Sequence, residues 1–547
     1  MLLKKHFGFI LVFIVSLIPL FALLHPGLPL THDGQDHIAR IANFYLSLSE
    51  GNLIPRWAEN LNWGYGHPIL MFLYPLPSYV ASGVHLLGFS FVDSFKIVLG
   101  LSFILSGIFM YLWLKEFLGE LSASAGAILY MFAPYRFVDL YIRGAIGEHI
   151  AFVFPPLICL FLLKLFSSKK FNSVYFVAAS VSVAMLILAH NAVSLMFLPF
   201  IFLYILYLFW VSKKRNYLIS SFVSIFLGFC LAAFFWLPAY LEGKYTLRDI
   251  VTGTITLDRF VNFQDLIYGP WVYGQFGQFT VQVGILQWVS IAAVPFVAYF
   301  MFKKKDKLLK LYLITFLYFL GSIFIMLPVS SFLWKTVTIL EKFQFPWRFL
   351  SVSVFTTAIL GAFLVSCLNK KVQMGLLAGI VLLALFLNKD SFIPHSYILK
   401  PEAFYAGIYN GTTDTGESSP VWSVRFMEER PKSVIEVIDG AAVIKKISRS
   451  STHHKYQVNA KNRVGIRENT LYFPGWTVYI DGKKNEAVEF QDPHNRGIMT
   501  FYVPPGTHII DVVFQNTKLR TISNLISITT LLTLGVLVFL RLRKTRT

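Results

Sequence analysis

Runs of roughly twenty uncharged, apolar residues recur along the first 390 positions of the chain, separated by clusters of Lys and Arg. Inside a bilayer every main-chain N–H and C=O must be satisfied within the protein, so such runs take the form of helices. The first covers Phe7 to Leu24, and further spans fit 94–114, 121–135, 149–166, 173–189, 193–211 and 217–238. Others fit 283–302, 308–327, 347–368, 372–388 and 521–540, which gives about twelve crossings. Only 14% of the 547 residues are charged, 56% are apolar, and the mean hydropathy is +0.61. Soluble domains carry roughly 25% charged residues. This composition excludes a soluble globular domain, a disordered chain, a collagen and a secreted disulfide scaffold. Cys159, Cys230 and Cys367 all fall in apolar runs and offer neither a disulfide framework nor a metal spacing.

The formal charge of +19 is a topology signal. Its cations cluster at Lys4–Lys5, Lys115, Lys164 with Lys169–Lys170, Lys213–Arg215, Lys303–Lys310, Lys370–Lys371 and Arg541–Arg546. Short basic loops stay on the cytoplasmic side, and twelve crossings put every one of these clusters on the same face. A nucleic-acid binder would gather them on one soluble surface, so no nucleic-acid partner is expected. The first run is long for a signal peptide and lacks a small-x-small cleavage site, so it reads as a retained span. Both termini are then cytoplasmic in a multi-pass protein of the cell membrane.

Residues 1–388 read as the transmembrane module, with a long first outer segment at 25–93. Within that segment Ile38, Ile41, Tyr45 and Leu48 recur at helical spacing before Gly51, which predicts an amphipathic helix on the membrane surface. Pro68, Pro75 and Pro77 keep 69–88 from being a full crossing. From 389 to 519 polar residues and short β-type runs take over. Trp476–Ile480 before Asp481-Gly482 is a hairpin signal, and Pro504-Pro505-Gly506 precedes a strand over His508–Phe514. The expected architecture is an all-α polytopic membrane bundle carrying a C-terminal extracytoplasmic β-sandwich-like domain, with 520–547 as a final helix and basic cytoplasmic tail.

Four polar stretches land on the outer face: His32-Asp33-Gly34-Gln35-Asp36-His37, Tyr141 to His149 with Arg143 and Glu148, the His190-Asn191 turn, and Phe345-Pro346-Trp347-Arg348. Ionisable groups near membrane depth are costly and mark function by default. Each has a plainer explanation. Asp33 suits a helix cap, Asp36 and His37 a solvated helix start, Arg143 and Glu148 a loop-fixing salt bridge. His190 and Asn191 suit a turn, and Arg348 with Trp347 an interfacial anchor. Their common face carries more weight than any one of them. Asp33, Asp36 and His37 also offer oxygen and nitrogen ligands to a divalent cation, although D-x-x-D-H is a short and common spacing. The zincin, P-loop, G-x-S-x-G and dinucleotide motifs are absent.

At these residues the chain resembles membrane glycosyltransferases of the C-type (GT-C) fold, and in detail bacterial YfhO-like and 6-pyruvoyl-tetrahydropterin-synthase-related membrane proteins. The resemblance rests on His32–His37, Gly64-Tyr65-Gly66-His67-Pro68, Tyr141-Ile142-Arg143-Gly144, Phe345–Arg348, and Tyr472-Phe473-Pro474-Gly475-Trp476 with Asp481-Gly482. The soluble pterin synthase's zinc-histidine pattern is missing. The resemblance implies a sugar donor carried on a polyprenyl phosphate and an extracytoplasmic glycan, lipid or protein acceptor. It implies Asp33 as the base that takes the acceptor hydroxyl's proton. Arg143 and Arg348 would pair with the departing phosphate. Asp36, His37, Arg40, Glu148, His149, His190 and Asn191 would make further donor or sugar contacts. The cofactor is left unassigned, with a divalent cation as the candidate. A flippase of lipid-linked glycans and a non-catalytic envelope scaffold are the competing readings.

Overall fold

The computed structural model describes residues 6–252, 259–274 and 278–546, without the side chains of 544–546. Lys4, Lys5 and the side chains of Lys544 and Arg546 therefore lie outside the described residues.

All twelve expected segments are helical, but they are not equally long. Among the described residues nine helices are long and apolar enough to cross a membrane, or ten if Arg215–Leu231 and Ala233–Leu241, bent by 69°, form one span. Ser173–Ala189 is a shorter apolar helix of 17 residues. Glu120–Met131, at 12 residues, is shorter again and lies fully inside the bundle, so the count of twelve does not stand on length alone. Gly119, at φ +80°, ends the 28-residue helix Phe91–Leu118 and turns the chain directly into this inner helix. Gly126 lets it approach its neighbours: a Cβ there would lie 2.4 Å from Leu114 and 2.9 Å from Ala362. Lipid tails are as apolar as Leu, so close contact between small residues is what holds membrane helices together.

The predicted amphipathic helix is present as Gly34–Ser49. Its apolar face does not rest on lipid. Ile38, Ile41 and Phe44 are buried by protein, against Leu76–Leu86, Phe91–Leu118 and the short helix Glu402–Ala406. The 69–88 stretch divides into Ile69–Phe72 and Leu76–Leu86, too short to cross.

The two larger sheets of the C-terminal part start at Ile435, later than the composition change at 389 suggests. Before it, residues 389–434 run back as a strap across the first outer segment. Strand β1 (Leu28–Pro29) pairs antiparallel with β2 (Tyr397–Ile398), and His25 stacks on Tyr397 at 3.8 Å. The remaining strands are β3 (Ile435–Asp439), β4 (Ala442–Ser450), β5 (His453–Ala460), β6 (Val464–Leu471), β7 (Trp476–Ile480), β8 (Lys483–Asn485), β9 (Ile498–Val503) and β10 (Gly506–Phe514). They form two antiparallel sheets in the orders β4-β5-β10-β7-β8 and β3-β6-β9. Tyr456, Val458, Ile466, Val478, Phe501, Ile510 and Val512 fill the core. The β7–β8 hairpin turns on Asp481 (φ +49°) and Gly482 (φ +76°), as the Asp-Gly pair predicts. Trp57 of the first outer segment packs on Trp476 and Phe514, at 5.3 and 5.5 Å between ring centres. Arg520 of the last helix is fully buried on Glu242 at 2.8 Å.

Candidate functional site

The site is assembled around a main-chain junction. The N–H groups of His32 and Asp33 donate to the carbonyls of Ile142 and Arg143, both at 2.9 Å. The junction depends on Gly144, at φ +66°, where a Cβ would stand 2.5 Å from Thr31 Oγ1. Val138–Arg143 is one wide π-type turn, a form that often re-aims side chains at functional sites. Asp33 occupies the N-cap position of Gly34–Ser49, yet its carboxylate makes no cap hydrogen bond and is exposed. The capping explanation for this residue therefore fails.

Arg143 is buried against two carboxylates. Its Nη1 donates to Asp139 at 2.5 Å and Glu148 at 2.7 Å, and both acids are fully enclosed. Tyr135 donates its hydroxyl to Glu148 at 2.5 Å and accepts from Arg143 at 3.2 Å. Trp347 covers the guanidinium at 4.6 Å and meets Phe279 edge-on at 5.0 Å. A buried charge is tolerable only when it is paired and hydrogen-bonded, and Arg143 satisfies both conditions without a ligand. Arg348 differs. It is half-buried, its Nη1 donates to the Phe343 carbonyl at 3.0 Å, and its Nε is buried without a partner.

His37 and Arg40 lie side by side on one face of Gly34–Ser49, with Arg40 Nη1 donating to His37 Nδ1 at 2.9 Å. Burial, reinforced by the charges of Arg40 and Arg143 and by His190, holds His37 well below the ordinary histidine range. Asp36 accepts a hydrogen bond from the Tyr409 hydroxyl at 2.8 Å. Burial raises its carboxyl above the usual range, and the Tyr409 bond opposes that rise. His190 caps the helix Asn191–Ser212 by accepting from the Val193 N–H at 3.3 Å, and its ring stacks on Tyr74 at 4.8 Å. The Asn191 Oδ1 beside it is buried and unpartnered.

Asp33, Asp36, His37, Arg40, Arg143, Glu148, His190 and Arg348 thus share one electrostatic neighbourhood, in which Arg143 feels Asp33, and His190 feels Glu148 and Arg348. His149 stands apart from it. Its ring is fully enclosed, stacks on Phe103 at 6.0 Å, and presents both nitrogens to the bundle interior near Arg136. Among the described residues no three or more His, Cys, Asp or Glu side chains are arranged to hold a metal ion. Asp36 and His37 are instead engaged by Tyr409 and Arg40. Sequence reasoning passed over Asp139, Tyr135, Tyr74, Tyr409 and Thr413. Asp139 was open to discovery, since it lies four residues before Arg143 on a helical turn. Tyr409 and Thr413 carry no local signal, because only the strap brings them here.

Three solved structures show low-level likeness to the chain. ArnT from Cupriavidus metallidurans bound to undecaprenyl phosphate is 14% identical, with 73% of this chain and 68% of that one covered and a TM-score of 0.40. Arabinofuranosyltransferase AftD from Mycobacteria is 15% identical, covering 73% and 28%, at 0.43. The Archaeoglobus fulgidus oligosaccharyltransferase in complex with Zn and sulfate is 12% identical, covering 74% and 58%, at 0.43. An uncharacterized protein of Lactococcus lactis is 26% identical over 260 residues, which span 45% of this chain and 42% of that protein. The match therefore spans less than half the length of this curated relative. The family model for the 6-pyruvoyl-tetrahydropterin synthase related domain, described as a membrane protein, matches residues 70–398, and the chain belongs to that family.

Proposed function

We propose that the protein is a membrane glycosyltransferase that moves a sugar from a polyprenyl-phosphate donor to an acceptor hydroxyl on the extracytoplasmic side. The observation that carries this reading is the Asp33 carboxylate: fixed by its own main chain to Arg143, free of any cap bond, and exposed beside a set of cationic and polar groups. A hydroxyl is a weak nucleophile, and a positioned base that takes its proton contributes about 10²- to 10⁴-fold. In the proposed step the acceptor oxygen bonds to the anomeric carbon as the bond from that carbon to the lipid phosphate breaks. The proton passes to Asp33, and the lipid phosphate leaves as an anion with inversion at the sugar.

Charge develops on the departing phosphate, and preorganised donors facing it lower the barrier. Arg348 suits that task better than Arg143, because its guanidinium keeps an unpartnered donor while Arg143 is already balanced by Asp139 and Glu148. Arg143 then sets the field around Asp33 and holds the 138–149 turn in shape. His37, Arg40 and His190 contribute donor contacts on this reading. The balanced state of Arg143 favours a non-catalytic envelope scaffold.

The test is transfer of a radiolabelled sugar from a polyprenyl-phosphate donor, together with envelope glycan profiles of a deletion strain complemented by wild type or Asp33→Asn. The variant should insert and fold normally, lose transfer by at least about 100-fold, and leave the deletion profile uncorrected. Full complementation by Asp33→Asn would remove Asp33 as the base.

A further inference from the structure

The strap that returns from the C-terminal part holds the first outer segment at three points. Tyr409 donates to Asp36 at 2.8 Å, Ser419 meets His67 Nε2 at 3.1 Å, and Thr413 receives Arg40. The last contact is double. Arg40 Nη2 donates to the Thr413 carbonyl and Nε to its hydroxyl at 3.3 Å, while Nη1 reaches His37. Thr413 lies at φ +64°, a left-handed conformation that is a real outlier for a β-branched residue. Such strain persists only where surroundings impose it. Here the Arg40 fork and the carboxylate of Asp414, which accepts from the N–H groups of Gly416 and Ser418 at 2.9 and 3.1 Å, impose it.

The consequence falls on His37. A guanidinium has donors and no acceptor, so the ring nitrogen facing Arg40 must be unprotonated. A neutral imidazole then carries its proton on Nε2. That nitrogen has no hydrogen-bond partner among the described residues, and the ring lies within the field of Arg143 and His190. We infer that Thr413 is a positioning residue of the candidate site: through Arg40 it fixes His37 as a neutral Nε2–H donor for a phosphate or sugar oxygen of the donor lipid. Burial and the surrounding positive charge keep the ring neutral, which preserves the single free proton. The inference rests on the lipid-phosphate reading for its ligand, while the state of the ring does not depend on that reading.

The experiment is binding of undecaprenyl phosphate, as the probe, to the full-length protein in nanodiscs, with undecaprenol as control. Gln presents an amide N–H close to the position of Nε2, and Asn does not. His37→Gln should bind within about threefold of wild type and His37→Asn about tenfold more weakly, the loss of one hydrogen bond to a charged group. Thr413→Pro, which cannot take φ +64°, should also weaken binding about tenfold. The double variant Thr413→Pro/His37→Gln should bind like His37→Gln alone, because an amide has no tautomer to be set. Thr413→Val, at constant size, moves binding in the same direction if the Pro variant fails to assemble. Wild-type affinity in His37→Asn, or a double variant as weak as the Thr413 single, overturns the inference. If the wild type does not prefer the phosphate to the alcohol, the donor reading falls, and ¹⁵N spectra of His37 decide the positioning claim alone. A single Nε2–H tautomer that becomes a mixture in the Thr413 variant upholds it, and identical spectra overturn it.

Discussion

The main-chain N–H of Asp33 donates to the carbonyl of Arg143 at 2.9 Å, and this bond ties the segment after the first span to the turn before Ile146–Ser167. Its survival depends on Gly144. Alanine at φ +66° costs on the order of 1–2 kcal/mol, and its Cβ would press on Thr31 Oγ1 at 2.5 Å. Gly144→Ala should therefore lower the melting temperature by only a few degrees while reducing sugar transfer by about tenfold or more through displacement of Asp33. Thermal unfolding and transfer, measured on the same preparation, check this. A variant that loses both together would make the junction a stability element only.

The two arginines of the site should respond in opposite ways. Arg143→Met leaves Asp139 and Glu148 buried without their cation, a defect worth about 3–5 kcal/mol, and the protein should accumulate poorly at any donor concentration. Arg348→Met gives up one main-chain hydrogen bond at a half-buried position. It should change stability by about 1 kcal/mol or less and weaken lipid-phosphate binding by about tenfold or more. Yield, melting temperature and probe affinity for the two variants separate the roles.

Most of the fold was legible because each signal was local. Apolar runs, basic loops and the Asp481-Gly482 turn are written in contiguous residues and depend on little else. The convergence of Asp33, Arg143 and His190 was readable from topology alone. Three features were not. Glu120–Met131 is shorter than a span, yet it is apolar because protein surrounds it on all sides, and hydropathy does not distinguish protein from lipid. The helix Gly34–Ser49 has an amphipathic pattern that a membrane surface and a protein surface satisfy equally. The strap, with Tyr409 and Thr413, is polar and irregular, and its place is set by main-chain bonds such as Asn62 N–H to the Gly411 carbonyl at 2.8 Å. Such bonds leave no mark in side-chain pattern.

Tyr409→Phe removes the bond that opposes the burial-driven rise of Asp36. The sign follows directly. A hydrogen bond to the carboxylate favours the charged form, so its loss raises the Asp36 pKa further. If ionised Asp36 is needed for donor or acceptor binding, the acid limb of the pH–activity profile should move to higher pH. Activity on the alkaline side should be nearly unchanged. An unshifted acid limb would remove Asp36 from the binding set.

The joint between the β-sandwich and the first outer segment should loosen as pH rises. His454, fully buried, lies 2.9 Å from Glu468 and 3.5 Å from Glu59, and Arg449 bridges the same two acids at 2.6 and 2.7 Å. Burial alone would lower the histidine, but the attraction of Glu59 and Glu468 outweighs it and holds His454 above its ordinary range. Glu59 and Glu468 are held below theirs, against burial, by His454 and Arg449. A raised histidine stabilises the folded form fully below its ordinary value and loses that contribution as pH climbs through the folded one. The lowered carboxylates contribute above their ordinary value and lose it in acid. The joint is thus firmest between the ordinary values of about 4.5 and 6.5 and weakens on the alkaline side. Protection factors of β5 and β6 in the purified protein, which correct exchange for its base-catalysed intrinsic rate, should be higher at pH 6 than at pH 8.5, and His454→Gln should flatten that difference. Protection that does not change between these pH values, or that rises in alkali, would mean the histidine is neutral in the folded protein.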